Sequence, residues 1–212
     1  MVQKPSTNFS EQPIASFLDA LRSADPAPGG GAAAALTAAL GTALVQMVYS
    51  INNKRLQNDK NPQVKVMTKE SAFSKISDKF AELEKFELLM KLDAEAFAEI
   101  SKFSKEDRSK PSYQEALKGA AGVPLEIASL AYKAMLLGEE EIERTSRWLA
   151  SDLAEAGILL EAAFKSARLN VEINLKSIQD KTYLDKVKSE LNELEKKVST
   201  SKTKLLGVLN HG

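Results

Sequence analysis

An all-α fold is predicted for this 212-residue chain: one bundle of about six helices around a buried helix rich in Ala and Gly. Three features point to it. All seven prolines fall at or before Pro124, and the remainder is rich in Ala, Leu, Glu and Lys, residues that favour helix. Apolar residues recur at helical spacings of three and four. Nowhere does an apolar/polar alternation run for a full strand between turn signals.

The elements follow in order. Ser10 and Pro13 mark a helix start, and Ile14, Phe17, Leu18 and Leu21 form one stripe that ends near Asp25-Pro26. A second helix begins at Pro28-Gly29-Gly30-Gly31 and runs through Ala32 to about Asn52; almost wholly apolar, it should be buried on most sides. A polar loop, residues 53–66 with Pro62, closes it. The third helix spans Thr68 to about Lys105, with Ile76, Phe80, Leu83, Met90, Phe97 and Ile100 as its core stripe, until Ser109-Lys110-Pro111 breaks it. The fourth runs from Ser112 to Leu137, perturbed at Pro124 and ended by Gly138. The fifth runs from Glu139 to about Asp180. In the last, Leu184, Val187, Leu191, Leu194 and Val198 make a heptad-like seam that suits packing on another helix, in the same chain or in a partner. No internal repeat breaks the chain, so 1–212 reads as a single domain with residues 1–12 as a flexible start.

Composition excludes much chemistry. Lys and Arg number 29 against 29 Asp and Glu, a balance that argues against nucleic acid and membrane surfaces as partners. No stretch approaches the roughly 20 uninterrupted apolar residues of a membrane span. Residues 1–12 are polar with no charged-then-apolar order, so no secretory signal is expected there, and a cytoplasmic, reduced setting is expected. With no Cys and only His211, a thiolate nucleophile, a Ser-His-Asp triad and a multi-histidine metal site are excluded, and no metal is expected. Any proton chemistry falls to carboxylates, Lys or Tyr.

Several residues are out of place. Gly29, Gly30 and Gly31 open a helix whose N-terminal N–H groups could meet an anionic ligand; equally, they could serve only a tight turn. The run lacks the Gly-Lys-Ser/Thr ending of a phosphate-binding loop. Asp93 lies between Met90 and Phe97 on the core stripe, where a carboxylate is paired, set at a cleft edge, or protonated as a general acid/base; the alternative is a water-facing Asp beside Glu95 and Glu99. Asp152 sits among Leu149, Leu153, Ala156 and Leu160, and Asn170 and Asn174 share a helix face, where amides either fix helix register or line a site. Lys54 and Arg55 could draw an anion or complement a helix end. Trp148, the only tryptophan, reads as a core plug or a stacking wall, with core favoured, and residues 186–204 as a solvated helix face.

Five ordered segments carry a resemblance. Phe17-Leu18-Asp19-Ala20-Leu21 precedes Ala27-Pro28-Gly29-Gly30-Gly31, and Ala43-Leu44-Val45-Gln46-Met47-Val48 follows. Then come Leu92-Asp93-Ala94-Glu95-Ala96-Phe97, and Ala116-Leu117 with Val123-Pro124-Leu125. Ser151-Asp152, the run Ala167-Arg168-Leu169-Asn170-Val171-Glu172-Ile173-Asn174-Leu175 and Asp180 complete the set. From about Phe17 to Asp180 the chain resembles the cyclodeaminase/cyclohydrolase family, which includes the C-terminal half of formiminotransferase-cyclodeaminase and stand-alone methenyltetrahydrofolate cyclohydrolases.

The resemblance implies a helical bundle that forms a homodimer and binds a folate, often polyglutamylated, as substrate. It implies ring closure of 5-formiminotetrahydrofolate with loss of ammonia, or ring opening of 5,10-methenyltetrahydrofolate by water, without organic cofactor or metal. By the same resemblance Asp93 is the catalytic acid/base, Gly29, Gly30 and Gly31 line the folate cleft, and Asp152, Asn170 and Asn174 belong to its polar wall. Lys54 and Arg55 match a basic stretch that could meet glutamate carboxylates. The chain departs from the family pattern at Lys91, where many members carry an acid, at Ala32 in place of Ser, in a compressed 103–112 segment that keeps only Arg108, and around Arg147-Trp148, where a common Asn is missing. Two readings therefore stand: a hydrolase of folate one-carbon metabolism, or an inactive folate-binding or structural dimer of the same fold.

Overall fold

The computed structural model describes residues 11–58, 79–81 and 83–210. Residues 1–10, the loop around Pro62, the start at Thr68, Ile76 and His211 lie outside them. Among the described residues there are six α-helices and no strand: α1 (Ile14–Leu21), α2 (Gly30–Gln57), α3 (Lys85–Ile100), α4 (Pro111–Glu141), α5 (Ala150–Leu175) and α6 (Lys181–Gly207).

α2 is the central helix and packs on α5, α4 and α3. Its small side chains let the backbones close in: Ala32, Ala34, Ala35 and Ala38 are fully buried. At Gly41 a Cβ would lie 2.8 Å from the Leu160 Cγ and 3.3 Å from the Ala156 carbonyl. Together with Gly30, which faces Asn170, these contacts show that α2 and α5 run antiparallel. Phe86, Leu89, Ile127, Met135, Leu153, Leu160 and Phe164 fill the main core. A smaller one, with Leu117, Val171, Leu175, Val187 and Leu191, closes one end between α4, α5 and α6. The α6 seam thus packs within its own chain, on α5 and α4.

Four expectations need correction. α4 does not end at Gly138 but runs on to Glu141, because Gly138 supplies space and not a terminus: a Cβ there would meet Leu205 at 3.1 Å and Leu153 and Val45 at 3.4 Å. No described glycine has a positive φ. α5 starts at Ala150, well after Glu139, since the intervening chain turns around the buried Glu141. The Glu141 carboxylate accepts from Asn52 Nδ2 and the Arg144 guanidinium, both at 2.8 Å, and Thr145 Oγ1 donates to the Glu141 carbonyl at 2.7 Å. Trp148 is no core plug; it stands 91% exposed in this turn. Finally, α2 and the stretch Pro111–Arg144 are each long and apolar enough by length and composition to cross a membrane, with about half of each apolar window (50% and 56%) buried in the bundle.

Gly41→Ala is expected to destabilise the fold by about 1–3 kcal/mol through overpacking. Gly119→Ala, in α4 with nothing within 4 Å of its Cβ position, should stabilise it by about 0.5–1 kcal/mol through lost backbone freedom in the unfolded chain. Urea midpoints of the two variants check the opposite signs.

Candidate functional site

The N-terminus of α2 is built without a local cap. The Ala27–Pro28 peptide is cis, Gly29 is the extended N-cap residue, and no side chain of that residue caps the helix. The Ala33 N–H donates to the Gly29 carbonyl at 3.1 Å. The Ala32 N–H instead donates to the carboxylate of Asp93, which reaches over from α3. First-turn N–H groups have no acceptor within their own helix, so this contact serves as a cap delivered from a distant segment.

Only a glycine at position 31 permits it. A Cβ on Gly31 would lie within 2.5 Å of every atom of the Asp93 carboxylate. On Gly30 it would lie 3.3 Å from the Asn170 amide, and on Gly29 it would meet only the Pro26 carbonyl at 3.9 Å. The three glycines are therefore graded, with Gly31 the one whose missing side chain is occupied by a functional group.

These groups line a cavity of about 350 Å³ with Pro26, Ala27, Ala94, Ala96, Phe97, Ile100, Ala120, Asn170, Ile173 and Asn174. The α3 stripe leaves the core here: Met90 is buried, Asp93 half-buried, and Phe97 48% exposed at the cavity. Among the described residues of the lining, Asp93 is the only ionisable side chain. Burial pushes its carboxyl above the ordinary 3.8, and the Ala32 N–H offsets only part of that shift. A carboxyl so placed can take up and return a proton nearer neutrality than a solvated Asp.

The opposite wall comes from α5. Asn170 Nδ2 donates to the Ser166 carbonyl at 2.8 Å, and Asn174 Nδ2 donates to the carbonyls of Ala120 and Asn170, both at 3.0 Å. The bond to Ala120 ties α5 to α4, as the register-fixing reading expects, and both amides also line the cavity. With Nδ2 committed, Oδ1 is the remaining group of Asn174, an acceptor for an N–H of a ligand. Phe97, Ile100 and Ile173 give this polar pair an apolar floor. Spacing had not singled out Ile173 or Ala120; the signal for Ile173 was its place between the two asparagines, and for Ala120 its place four residues before Pro124.

Three candidates are not brought to this cavity. Lys54 and Arg55 close the far end of α2, about 36 Å along a helix rising 1.5 Å per residue, and both are exposed. Asp152 is in the first turn of α5, about 27 Å from Asn170 along the axis. Of the departures from the family pattern, Ala32 lies at the carboxylate, to which its backbone N–H donates, and the others find places away from it. Lys91, two residues before Asp93, points to another side of α3 and pairs with Glu95 at 3.5 Å. Arg108 and Trp148 do not line the cavity.

The site is thus one desolvated carboxyl, clasped to a helix N-terminus and set opposite oriented amides, within an all-helical bundle. Residues 13–193 match the formiminotransferase-cyclodeaminase family, and the chain belongs to that family. It is similar to the methenyltetrahydrofolate cyclohydrolase of Methylorubrum extorquens, at 31% identity over 85% of this chain and 88% of that protein. It is 28% identical to the formimidoyltransferase-cyclodeaminase of Rattus norvegicus over 97% of this chain, yet spans only 38% of that protein. The crystal structure of formiminotetrahydrofolate cyclodeaminase from Thermotoga maritima superposes with a TM-score of 0.81 at 28% identity, covering 95% of this chain and 98% of that one.

Proposed function

We propose that this chain is an enzyme of folate one-carbon metabolism that opens the 5,10-methenyl bridge of tetrahydrofolate. The observation that carries this reading is the Asp93 carboxyl, desolvated and anchored by Ala32 N–H in a cavity walled by amide acceptors. The 31% identity to a cyclohydrolase, against 28% to the two cyclodeaminases above, supports ring opening as the first reading; coverage does not separate the two reactions, since the Thermotoga maritima cyclodeaminase is also matched over nearly its full length.

In this reading water adds to the electrophilic bridge carbon while the Asp93 carboxylate takes one of its protons. The tetrahedral carbon then collapses: its hydroxyl gives up the second water proton to solvent as the formyl C=O forms, the bond to N5 breaks, and N5 takes the proton that Asp93 returns. 10-Formyltetrahydrofolate leaves with one proton released, matching the positive charge of the methenyl bridge. The balance needs water alone, without organic cofactor or metal. Purified protein should remove the methenyl absorbance of 5,10-methenyltetrahydrofolate; if it instead generates that absorbance from 5-formiminotetrahydrofolate, the chain is a cyclodeaminase. Inertness toward both overturns the catalytic reading.

A second copy of the chain gives Lys54 and Arg55 a role. Leu36, Leu40, Leu44, Met47 and Ile51 form a stripe on α2 that is partly or fully exposed, and no charged residue interrupts the helix before Lys54. Two such stripes packed antiparallel would be self-complementary and would set the Lys54 and Arg55 of one copy beside the first turn of the other copy's α2. Those cations would then meet the glutamate tail of the folate. Leu40→Glu should turn a dimer into a monomer in sedimentation velocity. Lys54→Ala with Arg55→Ala should raise KM several-fold for a polyglutamylated substrate and less for the monoglutamate. A chain already monomeric, or equal KM changes, would refute the arrangement.

A further inference from the structure

We propose that Pro124 is a positioning residue for the cavity: it deprives the Ala120 carbonyl of its helical donor, and that carbonyl becomes the anchor that fixes the Asn174 amide with Oδ1 presented to an N–H of the bound heterocycle. The inference rests on the cavity being the substrate site and extends it to a residue that lies outside the lining.

In an α-helix the carbonyl of residue 120 accepts from the N–H of residue 124. Proline has no such N–H, and its ring crowds that same carbonyl. Pro124 is nevertheless buried in the middle of α4, and the helix continues through it from Pro111 to Glu141. The orphaned carbonyl is not left unpaired, because Asn174 Nδ2 donates to it at 3.0 Å from the last turn of α5. The second N–H of the same amide goes to the Asn170 carbonyl, also at 3.0 Å. Both donors are thus committed, and a flip of the amide would place Oδ1 against two carbonyl oxygens. The acceptor end is therefore held in one orientation before any ligand arrives. A reduced pteridine carries N–H donors on its ring and exocyclic amine, the complementary chemistry.

Pro124→Ala restores the helical N–H, which then competes for the Ala120 carbonyl and frees the Asn174 amide to rotate. KM for 5,10-methenyltetrahydrofolate should rise about threefold to tenfold, the worth of one neutral hydrogen bond, with kcat little changed and melting temperature equal or higher. Asn174→Ala should raise KM at least as much, and the double variant should match Asn174→Ala alone, since without the amide nothing remains to orient. An unchanged KM in Pro124→Ala, or effects that multiply in the double variant, overturns the proposal. A second readout is independent of turnover. With ¹⁵N-labelled asparagine, the Asn174 side-chain N–H pair should exchange slowly in the parent and faster in Pro124→Ala. Equal exchange overturns the positioning role even if the protein is catalytically inert, whereas altered exchange in an inert protein would count against the substrate reading alone.

Discussion

Asp93→Asn is expected to lower turnover about 10²–10⁴-fold, the usual worth of a general acid/base, while leaving the fold intact. The amide is nearly isosteric with the carboxyl, and its oxygen can still accept from the Ala32 N–H. The variant is also expected to be at least as stable as the parent at neutral pH. Burial raises the Asp93 pKa in the folded protein above its ordinary 3.8. The native state therefore holds this proton more tightly than the unfolded chain. The stabilisation that follows is fully present below 3.8 and is lost as pH rises through the elevated native value. Asn carries no such dependence, so the variant's advantage in melting temperature should grow between acidic and neutral pH. Thermal melts across that range, set beside kcat, separate the two effects. A stable variant with parental kcat would remove Asp93 from the mechanism.

Gly31→Ala is expected to be nearly as damaging, by a different route. Its methyl group would occupy the space of the Asp93 carboxylate, so the carboxyl must swing away from the Ala32 N–H or α3 must retreat from α2. Either movement separates the acid from the helix start, and a displacement of about 1 Å at reacting groups can cost 10²-fold in rate. Gly30→Ala should cost much less, since its Cβ meets the Asn170 amide at 3.3 Å, and Gly29→Ala least of all, since only the Pro26 carbonyl lies within 4 Å. The order of kcat/KM across the three variants is the measurement. Equal losses at all three positions would show that the glycines serve the turn and not the carboxylate.

Much of this was legible in the sequence, for reasons that particular residues make plain. Helical periodicity isolates Asp93 because a carboxylate among Met90 and Phe97 breaks a stripe. The four-residue spacing of Asn170 and Asn174 places both amides on one face, and the Ala-rich run marks a helix that neighbours approach closely. What was not legible depends on distance. Lys54 and Arg55 follow the glycine run on the same helix, yet a helix of 28 residues carries them to the other end of the bundle. Gly138 reads as a terminator because local sequence cannot say that Leu205 will press against it. The role of Pro124 depends on an asparagine from another helix, and nothing near Pro124 announces it. Trp148 shows that rarity and size do not guarantee burial when the chain turns at a polar cluster.

The clasp between Asp93 and the first turn of α2 bears on how this site can be moved or remade. The acid and its N–H partner belong to two helices that meet only in the finished bundle, so neither segment carries the geometry alone. Grafting the Asp-Ala-Glu-Ala-Phe stretch onto another helix would transfer the letters without the environment that sets the proton affinity of Asp93. A transplant would need α2 and α3 as a packed pair, with the glycine at their crossing kept. The smallest portable unit of this chemistry is a helix crossing, and redesign of the chain is best planned around that crossing and not around a motif.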